Sequence, residues 1–169
     1  MVRLLHLRSL ASLALQLAIL GALIAAFFVR LPQVSGLSME PHINSGEYVL
    51  INTLAYRFGE PKRGDIVAFR HDGDTPEIYI KRVVGLSGDR IAVDRGNVYV
   101  NGSRLSEPYV RFADERTFAT VTVPADSVYV LGDNRANSED SRFFGPVEDD
   151  HLMGRALVGI WPLGSVGAL

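Results

Sequence analysis

The chain has 169 residues, a formal net charge of −2 and no cysteine. It can hold one ordinary domain and an appendage, and disulfides, thiolate catalysis and cysteine metal sites are excluded. Residues 31–169 contain 14 basic and all 19 acidic residues, a net charge of −5. This balance argues against a nucleic-acid partner, because a phosphate binder needs a basic face.

The first predicted element is a membrane-spanning helix over residues 10–29. This run has no charged residue and, at about 1.5 Å per residue, would be roughly 30 Å long, which matches the hydrocarbon core of a bilayer. A cleavable signal peptide is the alternative, but its apolar region is usually about 7–15 residues long. Arg3 and Arg8 outnumber Arg30, so the positive-inside rule places residues 1–9 in the cytoplasm.

The rest of the chain has the pattern of a mainly β protein. After a linker at residues 30–35, short β-branched runs separated by turns predict a domain over residues 36–169, built of coiled antiparallel, barrel-like sheets. Asn101-Gly102 favours a tight hairpin turn, in which both central residues need positive φ. Residues 90–116 are more polar and turn-rich, which predicts a small β flap.

The turn at residues 36–41 places Ser38 between a glycine and a proline. From its neighbours alone, Ser38 could be a turn residue or a nucleophile. The spacing of the four histidines does not support a Ser-His-Asp triad, and Glu40 occupies the last position of a G-x-S-x-G elbow.

A lysine offers a different base. Lys81 lies in an apolar run in which a period of two puts Tyr79, Lys81 and Val83 on one face. Burial there would disfavour the ammonium, and lowering its pKa from about 10.4 to near 8 costs roughly 3 kcal/mol. That cost is unusual for a structural residue but useful for a general base. The strand considered alone favours the alternative, an edge lysine with its ammonium in water.

The third candidate is the polar loop at residues 132–142. Arg135 breaks the pattern of a calcium-binding loop, which leaves a solvated loop or a buried polar network. In the second case Asp140 and Arg142 could form an ion pair, and Ser138 could hold a nearby amine.

Together, residues 36–41, 79–85 and 132–142 closely resemble, in the same order, motifs of the bacterial type I signal peptidases, and residues 63–67 resemble a further motif. The resemblance spans roughly residues 10–162. It implies a membrane-anchored serine endopeptidase that removes N-terminal signal peptides from exported preproteins by cleaving after Ala-x-Ala-like sites.

The resemblance also implies roles for single residues. Ser38 would be the nucleophile and Lys81 the general base, Ser138 would orient the lysine amine, and Asp140 and Arg142 would form an ion pair that braces the site. The sequence shows no metal or organic cofactor site. Its partners would be preproteins and the lipid bilayer, and the enzyme would be a monomer in the cytoplasmic membrane, with its catalytic domain on the extracytoplasmic side.

Two positions depart from the family pattern. Gly36 stands where some members carry a serine that helps to form the oxyanion hole, so the hole would depend mainly on the backbone N–H of Ser38. His42 replaces a threonine, which we interpret as a structural substitution.

A substrate would bind as an extended strand along two edges near the nucleophile and the base. The predicted substrate-binding residues are Ser35, Leu37, Ile78, Tyr79 and Ile80.

Two other functions are considered. A self-cleaving Ser–Lys repressor would be soluble and linked to DNA, which the apolar run and the acidic domain argue against. A membrane-anchored β module that binds a partner without catalysis predicts instead that Lys81 is exposed and far from Ser38.

Overall fold

The computed structural model describes residues 2–71, 77–161 and 167–168. The chain begins with helix α1, Val2–Phe28, which starts earlier than the predicted helix. Among the residues described, no helix is both long and apolar enough to cross a membrane, and the predicted spanning helix at residues 10–29 is therefore not confirmed. The last part of the predicted β domain, residues 162–166 and 169, lies outside the described residues.

The described part of the chain after α1 consists mainly of short strands. The strands are β1 (Val29–Arg30), β2 (Tyr48–Asn52), β3 (Ile66–Phe69), β4 (Tyr79–Gly85), β5 (Arg90–Asp94), β6 (Asn97–Val100), β7 (Ser103–Arg104), β8 (Phe118–Thr122), β9 (Ser127–Leu131), β10 (Val147–Glu148), β11 (Leu152–Trp161) and β12 (Gly167–Ala168). A short helix, α2 (Ser141–Phe144), and 3₁₀ turns at Arg135–Asn137 and Asp149–His151 lie between the last strands.

These strands form two antiparallel sheets. The main sheet has the order β1-β2-β11-β3-β4-β9-β10, with β12 paired to β11, and the second, which we call the cap sheet, has the order β7-β6-β5-β8. The mainly β, antiparallel prediction is confirmed. The barrel-like arrangement is wrong for the described residues, because the two-residue edge strands β1 and β10 do not pair and the main sheet stays open.

The apolar core holds the turn that contains Ser38 against the main sheet. Met39 and Ile43, at most 1% exposed, belong to the same buried cluster as Ile80 of β4 and Ile66 of β3. A second cluster contains Val67, Phe69, Val83, Val128 and Val130. Every residue of β4 after Tyr79 is buried, so a polar side chain on this strand must find its partners inside the protein.

The cap sheet overlaps the predicted flap. Its strands lie between residues 90 and 122. They pack against β4 and β9 of the main sheet around a third cluster, which includes Ile91, Val98 and Tyr129. Asn101 and Gly102 both have positive φ, 52° and 84°, at the turn between β6 and β7, as their sequence predicts.

Candidate active site

The structure brings Ser38 and Lys81 together. Ser38 lies in the turn held by Met39, and Lys81 lies on β4 with its amine 2.7 Å from the Ser38 Oγ. The amine also donates a hydrogen bond of 3.2 Å to the carbonyl oxygen of Ile80. Lys81 is only 4% exposed, so the alternative of an edge lysine reaching water is wrong.

The surroundings of Lys81 favour its neutral form. Burial lowers its pKa from 10.5 to about 8, although the charges of Asp140 and Glu139 oppose this shift. None of the described carboxylates forms an ion pair with the amine, whose nitrogen lies 5.6 Å from the centre of the Tyr79 ring. A substantial fraction of the amine is therefore unprotonated at mildly alkaline pH, as a general base requires.

The backbone around Ser38 leaves one donor available. Its carbonyl oxygen accepts a 2.9 Å hydrogen bond from the N–H of Asn134. Its own N–H has no hydrogen-bond partner among the described residues, so it can donate to an oxyanion formed beside Oγ. Gly36 has a φ of +109°, which favours glycine, and contributes no side-chain donor.

Asp140 is the centre of a buried hydrogen-bond network. Its carboxylate is fully buried and accepts from the Ser138 hydroxyl at 2.7 Å, the Gly132 N–H at 3.0 Å and the Arg142 guanidinium at 2.8 and 2.9 Å. In the described structure, no hydrogen bond joins Ser138 to Lys81, in contrast to the contact that the resemblance implies. The Ser138 hydroxyl donates instead to the Asp140 carboxylate, because a hydrogen bond to a charged acceptor is stronger than one to a neutral acceptor.

Gly132 packs the polar loop against Ser38. A Cβ at this position would clash with the Ser138 Oγ and would lie 2.5 Å from the carbonyl oxygen of Ser38. No larger residue fits without moving one of these groups, so glycine is required here by close approach.

The sequence did not lead us to predict a second buried ion pair, between Arg82 and Asp133. Arg82 binds both oxygens of Asp133 at 2.8 and 2.7 Å, donates to the Gly64 carbonyl at 3.0 Å and lies 4.3 Å from the Tyr109 ring centre. The Nδ1 of His42 lies 3.3 Å from Asp133, and His42 does not line the cleft described below. The available signal was the alternation along β4, which points Arg82 away from Lys81.

An open cleft of about 460 Å³ contains the pair. Among the described strands, β9 pairs with β4 only from Arg82 to Gly85. One edge of β4 therefore has no neighbouring strand over residues 79–81, which line the cleft. The sequence interpretation did not include Asn137 and Glu139, which also line the cleft. All predicted substrate-binding residues line it together with Ser38 and Lys81: Ser35, Leu37, Ile78, Tyr79 and Ile80.

Potential metal ligands lie elsewhere. The ligand atoms of Glu148, Asp150 and His151 lie within 4.8 Å of one another at the turn after β10. None of these three residues lines the cleft.

Comparison with known proteins identifies the family. The family described as signal peptidase, peptidase S26, matches residues 7–161. A probable signal peptidase I-2 of Synechocystis sp. is 39% identical over 156 residues, covering 89% of this chain and 72% of the relative. The signal peptidase I of Bacillus caldolyticus is 38% identical over 143 residues, covering 76% of this chain and 78% of the relative.

A solved structure gives the same result. The crystal structure of a signal peptidase I from Enterococcus faecalis superposes with a TM-score of 0.50 and 33% identity, covering 57% of this chain and 97% of that one. The chain therefore belongs to the signal peptidase family S26 and is a serine endopeptidase.

Proposed function

We propose that this chain is a signal peptidase in which Ser38 is the nucleophile and Lys81 the general base. The observation that carries the proposal is the 2.7 Å distance between the Ser38 Oγ and a buried lysine amine, inside an open cleft. Its substrates would be exported preproteins that carry an N-terminal signal peptide, and membership of the signal peptidase family supports this choice.

The reaction is an acyl transfer. Neutral Lys81 removes the hydroxyl proton as the Ser38 oxygen bonds to the substrate carbonyl carbon, and the carbonyl oxygen becomes an oxyanion beside the Ser38 N–H. The carbon–nitrogen bond then breaks, and the Lys81 ammonium gives its proton to the leaving amine. Lys81 next takes a proton from water, whose oxygen bonds to the acyl carbon. The bond between that carbon and the Ser38 oxygen then breaks, Lys81 returns its proton to Ser38, and the second product leaves.

Supporting residues hold this geometry. The Asp140–Arg142 ion pair fixes the N–H of Gly132, whose backbone lies against Ser38, and the Ser138 hydroxyl adds a further bond to Asp140. We assign these residues to the positioning of the nucleophile rather than to proton transfer.

The substrate binds as an extended strand along the uncovered side of β4. Residues 35–37 would contact it from one side and residues 78–80 from the other, since both segments line the cleft. Cleavage after Ala-x-Ala-like sequences fits short side chains beside a tightly packed serine turn.

Attachment to the cytoplasmic membrane would bring enzyme and substrate together. The support is the uncharged run at residues 10–29, which would form a single span with its N-terminus inside. Ser38 follows Val29 by nine residues, so at roughly 3.3–3.6 Å per residue it lies within about 30 Å of the end of that run. The enzyme would act as a monomer without a further partner, because enzyme and substrate would be held in the same membrane plane and this raises their effective concentration.

Cleavage of a purified preprotein tests the proposal. The wild type should cleave it, and Ser38→Ala and Lys81→Met should not, whereas Lys62→Met should retain full activity because Lys62 is the other lysine of the chain and is exposed. Undiminished cleavage by either of the first two variants would refute the pair. A wild type that binds preproteins without cleaving them would favour the non-catalytic module.

A further inference from the structure

Two carboxylates near the cap sheet bind arginines of the polar loop at residues 132–142. Both come from the segment that joins β7 to β8, residues 105–117, which we call the cap linker. Asp114 binds Arg142 at 2.6 Å, and Glu107 binds Arg135 through both carboxylate oxygens. The two arginine side chains are only 1% and 2% exposed, so neither has water as an alternative partner.

The two arginines converge on a single residue. Arg142 binds Asp140, which accepts the hydrogen bond from the N–H of Gly132 at 3.0 Å. Arg135 donates directly to the carbonyl oxygen of Gly132, also at 3.0 Å. The backbone N–H and C=O of Gly132 are therefore each connected to a different carboxylate of the cap linker.

Gly132 transmits its position to the nucleophile. The space a Cβ would need is occupied by the Ser38 carbonyl oxygen, 2.5 Å away, and Asn134 donates to that same oxygen at 2.9 Å. The cap linker contacts this stretch through its backbone as well, since Phe112 and Asn134 form a bridge. A displacement of Gly132 must therefore displace Ser38, because the contact leaves no free volume.

We infer that Asp114 and Glu107 are positioning residues for the nucleophile, acting through Arg142 and Arg135 on the backbone of Gly132. This inference rests on the proposed function. Buried ion pairs contribute little to net stability once desolvation is counted, but they restrict the groups they join to one geometry. A nucleophile displaced by about 1 Å can lose about 10²-fold in rate, so such restriction has a catalytic value.

Kinetics of Asp114→Asn and Glu107→Gln test the inference. Each change removes a charge without changing the side-chain size, and we expect kcat on the preprotein to fall about tenfold or more while KM changes less than about twofold. Asp94→Asn is the matched control and should keep wild-type kcat, because the Asp94 carboxylate contacts Arg95 and Thr117 and neither arginine of the polar loop.

Amide hydrogen exchange gives a readout that needs no substrate. The Gly132 N–H should exchange faster in Asp114→Asn than in the wild type and in Asp94→Asn. If the wild type cleaves no preprotein, the proposed function fails, whereas the exchange rates still show whether Asp114 holds the backbone of Gly132. Unchanged kcat and unchanged exchange in a folded variant would overturn it. Loss of folding in both variants would also overturn it, because the carboxylates would then be structural.

Discussion

Lys81 and Arg82 are neighbours on β4, nearly equally buried, yet their surroundings differ completely. Lys81 is 4% exposed and meets a serine hydroxyl and a backbone carbonyl, whereas Arg82 is 8% exposed and binds both oxygens of Asp133. Burial lowers the pKa of Lys81 to about 8. Burial also opposes the charge of Arg82, but hydrogen bonds to Asp133 and its negative charge outweigh that effect and raise the pKa.

The difference shows that burial alone does not determine what an inward-facing cation does. A cation with a carboxylate partner stays charged and joins two segments of the fold. A buried lysine amine without one has a lowered pKa, so it can accept a proton closer to neutral pH. Adjacent residues on one strand can therefore have opposite properties, because alternate side chains point to opposite sides of the sheet.

The largest loss of activity is expected when Lys81 is replaced by arginine, the residue type of its neighbour Arg82. Lys81→Arg keeps the positive charge and much of the volume, but a guanidinium is not deprotonated in proteins and cannot accept the Ser38 proton. We expect kcat/KM for preprotein cleavage to fall about 10²–10⁴-fold, the usual contribution of a general base. Lys62→Arg is the matched control. Activity within tenfold of the wild type would show that proton transfer does not depend on Lys81.

The next largest effect should come from removing the partner of Arg82. Asp133→Leu leaves the buried guanidinium without a carboxylate, and we expect the free energy of unfolding to fall by about 3–5 kcal/mol. Denaturant unfolding at pH 7 measures it. Adding Arg82→Met should recover much of the loss, because no unpaired charge then remains. A loss below about 1 kcal/mol in Asp133→Leu would mean that water reaches Arg82.

The pH dependence of cleavage should report the lowered pKa of Lys81. The base must be neutral, so activity rises with pH and reaches half of its limit near pH 8, which predicts about a fivefold increase in kcat/KM between pH 7 and 8. Glu139→Gln removes a charge that raises this pKa and should move the midpoint to lower pH. A midpoint near the ordinary lysine value would contradict the proposed environment of the amine.

The smallest effect is expected at His42. Its side chain is 38% exposed and contacts Asp133, which already has two hydrogen bonds from Arg82. His42→Thr should change the free energy of unfolding by no more than about 0.5 kcal/mol and leave kcat unchanged, as for most partly exposed positions. A tenfold loss of kcat would instead place His42 in the reaction.

Local sequence patterns predicted the features that depend on a few neighbouring residues. The Asn101-Gly102 turn follows from the φ angles that its residues tolerate, and the short β-branched runs predict strands. The motifs also predicted that Ser38 and Lys81 meet, and their atoms lie within hydrogen-bond distance, although their catalytic roles stay predictions.

Features that depend on distant pairings could not be predicted. Whether the main sheet closes depends on its edge strands β1 and β10, more than a hundred residues apart in the chain. The Ser138 hydroxyl donates to Asp140 rather than to Lys81, and this depends on distances in the folded chain that the spacing of the motifs does not give. Glu107 and Asp114 lie in the polar, turn-rich segment that predicts a small flap, and only the fold brings them to buried arginines.

The pairing of β4 with β3 has a consequence for how this chemistry is encoded. Lys81 lies opposite Val67 and Arg82 opposite Ile66, and the irregular step between Val83 and Gly85 helps to fix this alignment. Gly85 has Ile91 where a Cβ would lie, so the strand cannot easily shift there. A slip of one residue would turn every side chain to the other face. It would present a permanent cation to Ser38 and the titratable amine to Asp133. The hydrogen bonds between the backbones of β3 and β4 therefore decide which of two adjacent cations faces the serine.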